Sequence, residues 1–237
     1  MAAEDLHIGV AGSSARHQAE RLRLDNEAYR SRQGALARAW DSLFPSPRTR
    51  RREAEARAWR VGAEGEHRLT TFLARRCPEV FMLHDRVAPM SRANIDHIAI
   101  APSGVYVIDC KRYRGKIEVT KPLAGSPRLK INGRDRTSLI RALERQVAHV
   151  HAALEGVDQE IPVHGCLCFV APEGRFADVG LPILRTPKIR GYPLYYAKRL
   201  ARRLNRPGTI TGERAAVLQS ELAERLPPAP RSLPAQH

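Results

Sequence analysis

A mixed α/β fold, a central sheet flanked by helices, is predicted by three features of this chain. Asn94 to Arg112 reads as a β-hairpin, Thr137 to Leu154 as an amphipathic helix, and Val163 to Val170 as a short apolar strand of the buried kind. With their neighbours they give the order helix, strand, hairpin, further strands, helix, strand, helix, which is an α/β sandwich around a mixed sheet.

The elements follow in chain order. Residues 1 to about 12 are expected to lack regular structure. Ser14 to Phe44 is rich in Ala, Arg, Glu and Leu and reads as a helix, but its apolar positions are sparse: Leu22, Leu24, Leu36, Trp40 and Leu43. Such a helix covers a surface or projects as an arm, and a protein partner through it is one expectation. Pro45-Ser46-Pro47 breaks it, and Arg48 to Arg52 is a basic cluster, so residues 1–52 form a basic helical arm. Glu53 to Arg76 is the next helix and Val80 to Val87 a strand. After the hairpin, Lys116 to Thr120 and Arg128 to Asn132 read as strands joined by a turn. The helix from Thr137 carries the stripe Leu139, Leu143, Val147, Val150 and Leu154, with Gln146 inside it. Pro182 to Leu184 and Lys188 to Arg190 read as edge strands. Tyr195 to Leu204 reads as a helix stopped by Pro207-Gly208, and Thr211 caps a last helix, Glu213 to Leu226. A Pro-rich stretch, 227–237, is expected to be disordered. A core at 53–172 followed by a basic extension at 173–226 completes the expected organisation.

Composition narrows the class of function. The 237 residues hold 40 Lys and Arg against 25 Asp and Glu, a formal net charge of +15. A chain this basic commonly meets a polyanion, with nucleic acid the first candidate; an anionic membrane surface or a solubility effect are the alternatives. Cys77, Cys110, Cys166 and Cys168 lack the paired spacing of zinc sites, and three of them fall in apolar strand-like runs. They read as buried thiols of a reducing cytoplasm. Met1 to Val10 has no apolar core of a secretory leader, and no apolar run approaches the length of a membrane span.

The hairpin carries the chemistry. Ile95, Ile98 and Ile100 mark its first strand, Pro102-Ser103-Gly104 its turn, and Val105 to Ile108 its second strand. Folding near Ser103 sets Asp96 roughly opposite Asp109, and alternation puts Lys111 on the face of Asp109. Two carboxylates this close repel unless something positive lies between them, and a hard divalent cation suits oxygen ligands. An ordinary hairpin with polar ends is the plainer alternative. A further carboxylate comes from the preceding helix. Glu66 shares a stripe with Gly62, Leu69 and Leu73 and faces inward, whereas Glu64 shares one with Arg60, Arg68, Thr71 and Arg75 and faces water. His97 points away from Asp96 and reads as structural, and Tyr113 as a packing aromatic.

The blocks Gly62-Ala63-Glu64-Gly65-Glu66, Ile95-Asp96-His97-Ile98, Gly104 to Lys111 and Tyr113-Arg114-Gly115-Lys116-Ile117 occur in an order that resembles the nuclease-related domain (NERD) family over roughly Val61 to Val170. That family is similar to the PD-(D/E)xK restriction-endonuclease-like superfamily. The resemblance implies a restriction-endonuclease-like core with helical N-terminal and C-terminal extensions. It implies Mg²⁺ or Mn²⁺ on Asp96, Asp109 and the Cys110 carbonyl, with Glu66 holding a water on the metal or a second ion. Lys111 becomes the lysine of (D/E)xK, and Gln146 the glutamine that orients water or phosphate. The reaction implied is hydrolysis of DNA phosphodiester bonds in DNA processing. Three departures stand out. Asp replaces the commoner Glu at 109, Ile95 precedes Asp96 where the superfamily has Pro, and the Asn-Pro often found before the glutamine is absent. Each residue also has a plainer role: Glu66 or Lys111 as an ion-pair partner, Gln146 as a cap on a strand edge. The rival function is a non-catalytic nucleic-acid-binding or scaffold module.

Beyond this core, Gly174 to Arg214 holds ten Lys or Arg against Asp178 and Glu213. Arg199, Arg202, Arg203 and Arg206 fall on one side of a helix, where they are placed to follow a phosphate backbone; a solvated helix end is the alternative.

Overall fold

The computed structural model describes residues 8–34, 40–41, 43–88, 94–113, 115–122, 125–157, 160–170, 181 and 185–229. Its centre is a six-stranded mixed sheet in the order β1-β2-β3-β7-β9-β8. Strands β1 (Phe81–Val87), β2 (Asn94–Ala101) and β3 (Gly104–Lys111) form an antiparallel meander. Strand β7 (Val163–Phe169) lies parallel to β3, and β9 (Tyr192–Tyr196) parallel to β7. The two-residue β8 (Lys188–Ile189) closes the far edge antiparallel to β9. A small second sheet holds β4 (Ile117–Thr120), β5 (Arg128–Ile131) and β6 (Arg134–Asp135).

Helices cover both faces of the main sheet. On one face, α3 (Ser138–Leu154) and α5 (Gly212–Arg225) pack over Ile98, Ile100, Val105, Val107, Leu167 and Phe169. On the other, α2 (Pro47–Arg76) and α4 (Ala197–Leu204) pack over Ala99, Tyr106, Ile108, Cys166 and Cys168. Alternation along each strand sorts these residues between two cores. The mixed α/β architecture is the one expected and is consistent with a nuclease-like fold. All four cysteines are buried free thiols, as the apolar runs around Cys110, Cys166 and Cys168 suggest for those three. Among the described residues, no helix is long and apolar enough to cross a membrane.

Several expectations are corrected. The first helix, α1, spans Ser13–Ser31 and is followed by Gly34, so Trp40, Leu43 and Phe44 lie beyond it, exposed; Leu36 is outside the described residues. It covers α2 rather than projecting, burying only Ala15, Ala19 and Asn26. Helix α2 runs back through Arg48 to Arg52, because the Ser46 hydroxyl accepts from the Thr49 N–H and Pro47 sits in the first turn, where proline is tolerated. Residues 8–12 are ordered against the domain: Ala11 is buried, and a Cβ on Gly12 would lie 2.8 Å from Ala63 Cα. Residues 227–229 are likewise paired, with Val87 donating to the Pro227 carbonyl and Ala229 to that of Asp85. Tyr195 and Tyr196 end strand β9 instead of beginning a helix. Pro193 is tolerated there because the ladder with β7 starts only at Leu194, so no bond to β7 needs its missing N–H. The expected strand at Pro182–Leu184 is outside the described residues, and Lys188–Ile189 forms as expected.

Candidate active site

The hairpin turn sets the register. Gly104 has φ 132°, and a Cβ there would lie 2.6 Å from the Pro162 carbonyl oxygen, so this position favours glycine twice over. Pairing runs from Ala101↔Gly104 to His97↔Ile108. One step further out, Asp96 faces Asp109, and the Cys110 N–H donates to Asp96 Oδ2 at 2.8 Å. On its other edge β3 is paired with β7 as far as Lys111↔Phe169, so Asp109 and Lys111 stand on an interior strand.

Lys111 reaches back into this corner. Its Nζ lies 2.7 Å from Asp109 Oδ1, 3.1 Å from the Cys110 carbonyl oxygen and 3.7 Å from Asp96 Oδ2. Burial disfavours the ammonium, but Asp109 and Asp96 more than offset this and raise its pKa. Asp109 is 3% exposed, and its Oδ2 meets no donor among the described residues. Burial and the neighbouring Asp96 carboxylate push Asp109 up to about 7 against the pull of Lys111.

Glu66 arrives from α2. The helix approaches closely because Gly65 lies against Arg112, where a Cβ would be 3.1 Å from the Arg112 Cβ. Glu66 is buried and Glu64 exposed, which is the division of faces that the stripes predict. Glu64 pairs with Arg68 and Arg112 on the outer side. Burial, then Asp96 and Asp85, push Glu66 up to about 9, while Lys111 and the Gly12 N–H pull it down.

Gln146 projects from α3 towards the start of β2. Its Nε2 donates to the Asn94 carbonyl at 3.1 Å, so one end caps the strand edge; its Oε1 is buried without a partner among the described residues. Asn94 extends the network in a way the sequence did not suggest. Its Nδ2 donates to Ser14 Oγ at 2.6 Å and to Asp85 Oδ1 at 3.1 Å. Asp85, at φ 51°, also accepts from the Ser13 hydroxyl and the Ser14 N–H. Residues 72 apart carry no local pattern that would betray such a contact. His97 is fully buried on the opposite face, its Nδ1 2.9 Å from His84 Nδ1, which is the structural role expected.

The residues fit a hard divalent cation. Asp96, Asp109 and the Cys110 carbonyl offer oxygen donors around a shared corner, Asp109 Oδ2 is left without a donor among the described residues, and burial, with the Asp96 carboxylate adding to it, raises the pKa values of Asp109 and Glu66. Among the described residues no three Asp, Glu, His or Cys side chains close into a cage, so the carbonyl and water would have to complete such a shell.

The four arginines lie elsewhere. Arg199, Arg202, Arg203 and Arg206 line a cleft with Tyr106 and His164, on the side of α4. Tyr106 belongs to the core opposite Val105 and Val107, so the sheet separates this cleft from Asp109 and Lys111.

The model of the nuclease-related domain family matches residues 61–170. No curated protein and no solved structure matches the chain.

Proposed function

Since residues 61–170 are a nuclease-related domain, we propose that the chain is a metal-dependent hydrolase of DNA phosphodiester bonds. The observation that carries this reading is the corner where Asp96, Asp109 and Lys111 meet, with Glu66 beside it and Asp109 Oδ2 lacking a donor among the described residues. Nuclease-related function follows from the family; metal dependence, DNA and the roles below are this reading's own.

Asp96, Asp109 and the Cys110 carbonyl would hold Mg²⁺ or Mn²⁺, with Glu66 bordering the same corner. A divalent ion there supplies positive charge against the phosphate and makes an attacking water more acidic. The protein's own groups do the rest. The Cys110 N–H fixes the Asp96 carboxylate, and the paired edges of β3 fix Asp109. Lys111 exchanges one carboxylate partner for the scissile phosphate, where its ammonium steadies the charge that develops on the non-bridging oxygens. Gln146 presents Oε1 to water or to the substrate backbone while Nε2 holds Asn94. The net charge of +15 supports a polyanionic substrate.

Lys111 filling the corner favours a second reading, in which the ion pairs are structural and the domain only binds nucleic acid. Calorimetric titration separates the two. Heat from Mg²⁺ or Mn²⁺ in the wild-type chain, lost in Asp96→Asn, supports the hydrolase. Equal heats in both proteins contradict the assigned site.

A further inference from the structure

The cleft on the far side of the sheet has a chemistry of its own. It encloses about 850 Å³ between α4, β9, β8 and the start of β7. Its described lining carries six cations, Lys188, Arg190, Arg199, Arg202, Arg203 and Arg206, and no carboxylate. Lys188, Arg190, Arg202 and Arg206 are exposed. Arg190 leans on Glu144, Arg199 donates to Thr186 Oγ1 at 2.9 Å, and Arg203 lies over the Tyr106 ring at 5.6 Å. Arg202 belongs to the last turn of α4, whereas Arg206, expected on the same helix, follows two residues beyond its end, and both line the cleft. Aromatic rings alternate with these cations. His164 is tilted against Tyr106 at 4.8 Å, and Tyr195, packed on the same face of the sheet, is half-buried. Tyr192 lies on the other face of the sheet, against Gly165 and Val147.

We infer that this cleft binds a single-stranded segment of nucleic acid, its phosphates on Arg202, Arg206, Lys188 and Arg190 and its bases against Tyr195 and His164. A duplex hides its base faces in the stack, and an inorganic anion has no use for rings. Only an unpaired strand uses both kinds of group. The sheet lies between this cleft and the Asp96–Asp109 corner, so the cleft anchors a strand without contributing to the chemistry. The inference rests on nucleic acid being the ligand of this chain, as in the proposed function, but not on hydrolysis.

The test is fluorescence anisotropy with a labelled oligothymidylate of about 15 nucleotides, in EDTA, using the full chain carrying Asp96→Asn so that cleavage plays no part. Binding is expected, tighter than to a duplex of the same length, and falling as salt rises. Adding Arg202→Ala and Arg206→Ala, both exposed and without a structural partner among the described residues, is expected to flatten the logarithmic salt slope by about 1.4 if each arginine meets one phosphate. His164→Ala is expected to weaken binding about tenfold with the slope unchanged, as a lost stacking surface would. Three results overturn the inference: unchanged binding in the double arginine variant, preference for the duplex, or binding to phosphatidylserine vesicles with none to the oligonucleotide. Strand binding in a chain that cleaves nothing leaves this inference standing and removes the hydrolase reading.

Discussion

Lys111 Nζ and Asp109 Oδ1 are 2.7 Å apart, on side chains two residues apart along one strand face. Asp96 Oδ2 lies 3.7 Å from the same ammonium. The lysine therefore offsets part of the negative charge of this corner, and a cation that binds there has to displace it.

Replacing Lys111 by Met keeps much of the stem and removes the charge. It strands two carboxylates, and losing one partner of a buried ion pair costs about 3 kcal/mol. The melting temperature without metal is expected to fall by roughly ten degrees, as about 1 kcal/mol shifts a domain of this size by 2–4 °C. Millimolar Mg²⁺ should restore more of that loss than it adds to wild type. DNA cleavage should drop about a hundredfold or more while DNA binding changes little. Equal metal effects on the two melting curves would remove the lysine from the cation's place.

Asp96→Asn should act in the opposite sense on stability. The amide oxygen still accepts from the Cys110 N–H, and the repulsion with Asp109 and Glu66 is relieved. The metal-free variant should melt at least as high as wild type, by circular dichroism, although it binds no Mg²⁺. A variant that melts several degrees lower would show Asp96 to be a structural keystone first.

Much of this corner was legible in the sequence. Pro102-Ser103-Gly104 sets where the hairpin folds, and the register that follows leaves Asp96 facing Asp109 without further information. The stripe through Leu69 and Leu73 told Glu66 from Glu64 for the same reason, since helical spacing decides which side is buried. The rest was hidden by distance or by local ambiguity. Ser13 and Ser14 meet Asp85 across 72 and 71 residues, and Asp85 takes a left-handed backbone conformation that asparagine or glycine would have advertised better. Tyr192 to Tyr196 contains a proline, which masks a strand, and its ladder with β7 starts only at Leu194. The hairpin β5–β6 has a readable signal in Asn132-Gly133, both at positive φ.

Glu64 and Glu66 therefore make a paired control. Glu64→Ala removes an exposed partner of Arg68 and Arg112, worth about 1 kcal/mol or less, and should leave cleavage within about threefold of wild type. Glu66→Ala should reduce cleavage at least tenfold. Steady-state cleavage rates that reverse this order would overturn the assignment of helix faces.

The buried state of Glu66 also sets a pH dependence. Its pKa rises from 4.5 to about 9 on folding, through burial and then the charges of Asp96 and Asp85. A raised pKa means that the folded chain binds a proton that the unfolded chain has lost. This contribution to stability is complete below pH 4.5 and is lost as pH rises towards 9. Glu66→Gln carries no such loss. In EDTA, the melting temperature of Glu66→Gln relative to wild type should climb by several degrees between pH 5 and pH 9. A constant difference across that range would mean that Glu66 is ionised and paired in the folded chain.

The central claim is that the corner of Asp96, Asp109 and Lys111 hydrolyses phosphodiester bonds with a divalent metal. Nicking of a supercoiled plasmid by the purified chain tests it most directly, with Mg²⁺ or Mn²⁺, with EDTA, and with Asp96→Asn in parallel. Conversion to nicked or linear DNA that requires the metal and is abolished in Asp96→Asn is the predicted result. An intact plasmid under every condition, or equal cleavage by Asp96→Asn, would contradict it.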